Sequence, residues 1–111
     1  MSVKYLLKTD HMQLEVSKRP VLRLDDDGRP RVDRDTKFPV YLVELTAFTN
    51  ETDGSVILPV SVPSADPPEL EWRQPVEVVD LEIIPWASKD RRSGDVRSGT
   101  AFRAAEIRPL A

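Results

Sequence analysis

Apolar and polar residues alternate with period two along most of the chain, the pattern of strands buried on one face. Met12, Leu14 and Val16 share one parity, while Gln13, Glu15 and Ser17 take the other. After Lys18-Arg19-Pro20 the pattern resumes, with Leu22 and Leu24 inward and Arg23 outward, which predicts one long bent first strand. Tyr41, Val43, Leu45 and Ala47 predict a second strand, and Val56, Leu58, Val60 and Val62 a third. Pro59 in the third suits an edge or a bulge, because proline gives no N–H to a ladder. A fourth strand covers 76–84 and a fifth roughly Thr100 to Arg108. In both, the apolar parity switches once, near Val78-Val79 and near Ala104-Ala105, as a β-bulge or a sharp bend would make it.

The intervening segments carry the turn chemistry. Residues 25–37 are polar and read as a loop or hairpin tip, Asn50 to Ser55 as a turn tightest at Asp53-Gly54, and Ala87 to Ser98 as a second long polar loop. Pro63 to Gln74 holds Pro67-Pro68 and cannot be a helix of more than a turn. With ten prolines in the chain there is little room for helix anywhere.

Five short antiparallel strands in one domain spanning 1–111 predict an all-β fold, a small five-stranded barrel of the OB type with bulged strands. An SH3-like barrel or small sandwich is the near alternative. The start, 1–10, is expected either to pair as a short strand at the barrel edge through Tyr5, Leu6 and Leu7, to mediate self-association as a homodimer, or to stay flexible. It contains no apolar secretion signal, and no run of about 18 apolar residues exists to form a transmembrane helix, so a cytoplasmic protein without membrane contact is expected.

Composition removes most catalytic chemistry. The chain has no cysteine and one histidine, His11, which leaves no thiol, no His-based triad and no zinc set. Asp25-Asp26-Asp27 lacks the spacing of a calcium loop and reads as a solvated turn. No phosphate-cradling glycine motif occurs. The expectation is a protein without catalysis, metal or cofactor.

The placement of charge is more informative than its total. The net charge is −3, yet Lys89, Arg91, Arg92, Arg97 and Arg103 outnumber Asp90 and Asp95 in the stretch 86–103. Arg29, Arg31 and Arg34 lie in the first polar loop. In an OB barrel the loops between strands 1 and 2 and between strands 4 and 5 flank the ligand face, so the two basic loops would overhang one groove. A positive groove with aromatic stacking surfaces is what unpaired nucleic acid requires. Trp86, where strand four opens into the basic loop, reads equally as a barrel-end plug or a base platform, and Phe48, opposite in parity to Tyr41, is the other candidate stacker. Tyr41 and Phe102 fit the core better, and Trp72 fits a cap on the barrel bottom.

Three sets of short motifs bear a likeness to a known group. They are Asp27-Gly28-Arg29-Pro30 with Asp33-Arg34-Asp35-Thr36 and Pro39; Pro75-Val76 with Val79-x-Leu81-x-Ile83-x-Pro85-Trp86; and Gly99-x-Ala101-Phe102-Arg103-Ala104. In these the chain resembles the short proteins encoded beside replication and transfer genes on actinobacterial conjugative plasmids and integrated elements. It departs from them at Lys37, where glycine is expected after the loop threonine. The resemblance implies an OB-like barrel and a single-stranded DNA role in element replication or transfer, and brings no established site residues. Single-stranded DNA, or RNA on the same face, is thus the expected partner. The rival is a protein–protein adaptor docking on a replication-initiator or transfer protein through a sheet edge.

Overall fold

The computed structural model describes residues 4–9, 12–49 and 54–110. His11 and the turn at Asp53 lie outside them. The chain forms β1 (Tyr5–Leu6), β2 (Met12–Leu22), β3 (Val40–Thr49), β4 (Ser55–Pro63), β5 (Pro75–Val79), β6 (Glu82–Lys89), β7 (Val96–Arg103) and β8 (Glu106–Pro109). All eight belong to one sheet in the order β1-β6-β7-β4-β3-β2-β5-β8. Among the described residues there is no helix, and none therefore long and apolar enough to cross a membrane.

The sheet is an all-β half-barrel, curled by its connections. β2, β3 and β4 run as an antiparallel meander, and residues 64–74 then carry the chain back so that β5 pairs with β2. Three hairpin-linked strands with the fourth returned beside the first is a Greek key. β7 closes onto the far side of β4 in the sheet's single parallel pairing, Val60 opposite Phe102.

The five-strand expectation needs correction, for a reason visible in the register. Val79 lies opposite Glu106 and Glu82 opposite Arg103, so β5–β6 and β7–β8 are one long hairpin whose two strands bend at the same level. A bulge would add a residue to one strand and shift the pairing; here the pairing is kept. Asp80 takes a left-handed backbone (φ 52) at the bend. The buried set changes phase there in both strands, from Val78 to Leu81 and from Ile107 to Ala104. The Ala104 N–H donates to the Ser61 carbonyl (2.9 Å) and the Ala105 N–H to the Val79 carbonyl (3.0 Å), pinning the bend against β4 and β5. One half of the hairpin therefore extends β2 and the other extends β4. The start adds the eighth strand, with Tyr5 opposite Ile83.

The core follows the parity except at strand ends, where Leu24 and Val56, expected inward, are 52% and 61% exposed. Leu14, Val16, Tyr41, Val43, Leu45, Ala47, Leu58, Val60 and Val62 are buried, joined by Leu70 from the 64–74 connection. Register shifts on either side of Lys18 bend β2 around this core. Trp72 does not cap the barrel: it is 66% exposed, with the Arg73 guanidinium 5.6 Å from its ring centre. The expected long loop at 87–98 is also replaced by structure. Lys89 pairs with Val96, leaving only a tight turn at 90–95.

Candidate nucleic-acid interface

The alternation that buries one face of β3 and β4 turns Leu42, Thr46, Phe48, Pro59 and Ser61 outward. Beside them β6 and β7 present Ile84 opposite Ala101 and Trp86 opposite Gly99. The segment 23–39 folds over one end of this outer face. The Arg23 N–H donates to the Val40 carbonyl, the Arg31 N–H to the Arg23 carbonyl and the Val40 N–H to the Arg31 carbonyl, each at 2.9 Å. Arg23 and Arg31 are thus fixed side by side at the head of β3.

The rest of that segment is built from Asx turns. Asp25 accepts from the backbone N–H groups of Asp27 and Arg29 (both 2.9 Å), so the acidic run is a capped turn. Asp33 accepts from the Thr36 N–H (3.0 Å), the Thr36 hydroxyl (3.0 Å) and the Asp35 N–H (3.2 Å), and is paired with the Arg103 guanidinium. Asp33 is 7% exposed. The Thr36 N–H bond, followed by the Thr36 hydroxyl, Arg103 and the Asp35 N–H, holds its carboxyl below the usual carboxylate range against the opposing effect of burial. Lys37, the residue standing where glycine is expected, takes φ 63, a conformation glycine would adopt without strain.

Between this segment and the sheet lies a hollow of about 470 Å³ bordered by the cations Lys4, Arg23, Arg31, Arg34 and Arg103, which outnumber the carboxylates Asp33 and Asp35, with Ser61 and Ile84 beside them. A second hollow of about 310 Å³ shares Arg23 and Ser61 with the first and reaches Trp86 across Leu42 and Pro59. Together they make one groove, cationic at one end and aromatic at the other. Trp86 is 46% exposed. Its ring rests on Gly99, where a Cβ would meet the Trp86 Cζ2 at 2.8 Å. Trp86 is therefore no barrel plug.

The expected site residues distribute unevenly. Arg31, Arg34, Arg103 and Trp86 border the groove. Arg103 is engaged there by Asp33, so its charge fastens the loop to β7. Arg97 shares the groove face of β7 by alternation with Gly99 and Ala101. Lys89, Arg91 and Arg92 gather at the hairpin tip, with Lys89 about 10 Å along the strand from Trp86. Arg29 is exposed on the Asp25 turn and does not border the groove. Phe48 is exposed on the groove face but lies six residues from Leu42, about 20 Å down β3.

Two groove residues carried no signal as ligands: Arg23, whose outward parity gave only its direction, and Lys4, from the short apolar start. Arg23 is half-buried and its Nη1 donates to the Ser61 Oγ (2.7 Å). Burial, and secondarily the neighbouring Arg31 charge, lower its pKa from the ordinary arginine value. No family model matches the chain, and no curated protein matches it.

Proposed function

We propose that this chain is a non-catalytic, OB-type, single-stranded DNA-binding protein of the cytoplasm that serves replication or transfer of a plasmid or mobile element. The Greek-key order and the two strands bent at one level support the OB reading of the half-barrel. The observation that carries the binding role is Trp86. A half-exposed indole on Gly99 opens onto a groove whose other end holds Arg23, Arg31 and Arg34. Stacking surface next to phosphate-pairing charge is the requirement for unpaired bases on a continuous backbone.

The test is binding of a fluorescent oligo-dT strand at low and moderate salt, with duplex of equal length as control. Micromolar or tighter binding that weakens with salt and favours the single strand is expected. If neither form binds in low salt, the reading is wrong.

The adaptor reading has one specific observation in its favour. Among the described residues β1 has a single neighbour, β6, and it exposes Tyr5 (57%) and Leu6 (69%) at that open edge, where a partner's strand could add. A replication-initiator or transfer protein docked there would leave the groove free.

A further inference from the structure

The cationic end of the groove has an internal imbalance. Arg103 is paired with Asp33, and Lys4 lies 4.0 Å from Glu82. Among the described residues, Arg23 and Arg31 have no carboxylate within ion-pair distance. The backbone ladder nevertheless holds the two side by side, one of them half-buried. Two like charges so placed repel each other, and the half-buried Arg23 lacks the hydration of open surface.

We infer that Arg23, Arg31 and Ser61 form a seat for a single phosphate group. Guanidinium forks match tetrahedral phosphate oxygens, and two of them balance a dianion. Ser61 Oγ accepts from Arg23, so its own O–H remains to donate to a phosphate oxygen. The hollow of about 470 Å³ has ample room for that group. The seat rests on the DNA reading only for the origin of its ligand: a strand's backbone phosphate or a free phosphate ester would satisfy the same donors.

Inorganic phosphate is the probe. Thermal unfolding and calorimetry with millimolar phosphate, against chloride at equal ionic strength, should give a phosphate-specific rise in Tm that follows mass action. Arg23→Gln removes the charge and keeps the aliphatic stem, while its shorter amide does not reach the Ser61 Oγ. It should weaken phosphate binding roughly tenfold or more. In phosphate-free buffer it should melt close to wild type, because relief of the repulsion from Arg31 offsets the lost hydrogen bond to Ser61. Arg31→Gln, at an exposed position, should show the same loss and serves if Arg23→Gln does not fold. A phosphate response that is absent in wild type, or undiminished in both variants, overturns the seat. Oligo-dT binding without a phosphate response rejects the seat and leaves the groove reading standing. Phosphate binding lost in the variants, with no oligo-dT binding by wild type, supports the seat and rejects the strand as its ligand.

Discussion

The curled body and the projecting end of the β6–β7 hairpin are both antiparallel ladders, yet they are held in different ways. In the body each strand has a wet and a dry face, and Val43, Leu45 and Val60 are fully buried. From Pro85 to Ser98 every residue is exposed, so neither face of the arm covers a core. Its shape comes from the ladder and the turn. The Asp90 N–H donates to the Asp95 carbonyl and the Gly94 N–H to the Asp90 carbonyl (both 2.8 Å), with Gly94 at φ 76. A free two-stranded hairpin is marginal in water. The arm therefore depends on its root, where Glu82 and Arg103 join the bend. Stability resides in the body, and most of the exposed basic charge of 86–103 resides in the arm.

Truncation at the centre of each region tests that division most severely. Leu45→Ala should cost about 2–5 kcal/mol in urea denaturation, through lost transfer energy and a cavity. Val96→Ala, in the arm, should stay within about 0.5 kcal/mol. Comparable losses would show that the arm is packed after all.

The fastener between loop and root comes next. Asp33→Ala strands the Arg103 guanidinium and the N–H groups of Asp35 and Thr36, at a cost of about 1–3 kcal/mol. Because the folded carboxyl titrates below its unfolded value of about 3.9, its stabilisation is fully present above that pH. It fades as pH falls through the folded pKa. Wild type and Asp33→Ala should converge in acid, and a gap that widens there would contradict the assignment.

Trp86→Ala sharpens the comparison from the binding side. Removing a stacking platform should cost about 1–3 kcal/mol of single-strand affinity, with the salt slope and Tm nearly unchanged. Gly99→Ala, which presses a methyl against the same ring, should reduce affinity in the same direction without removing the indole. A large fall in Tm for Trp86→Ala would return the residue to a structural role.

The smallest effect belongs to the tip. Arg91→Ala with Arg92→Ala should lower the log–log salt slope by roughly 0.7 for each phosphate that these arginines neutralise. Stability should hold within about 0.5 kcal/mol. An unchanged slope would place the strand's path away from the tip.

Legibility in the sequence tracked burial. Where one face is dry, parity located the strand: Tyr41, Val43, Leu45 and Ala47 are inward as expected, and the phase changes at Val78 and Ala104 mark the bend. In the arm both faces are wet, selection for alternation is absent, and residues 87–98 resembled a loop. The candidate site was half legible. Arg31, Arg34 and Trp86 stood out by charge and position, whereas Arg23 became a groove residue only through its backbone pairing with Arg31 and its reach to Ser61 on β4.

The sequence by itself determined that this is an all-β chain, most of the residues that form its core, and where two strands change face, because period-two alternation is a local property of each strand. Tertiary structure decided whether those phase changes were bulges or a shared bend, since that depends on the register between strands far apart in the chain. It also decided which charges are free. Asp33 and Arg103 are 70 residues apart, and only the fold that engages Arg103 with Asp33 leaves Arg23 and Arg31 facing each other without a counter-ion among the described residues.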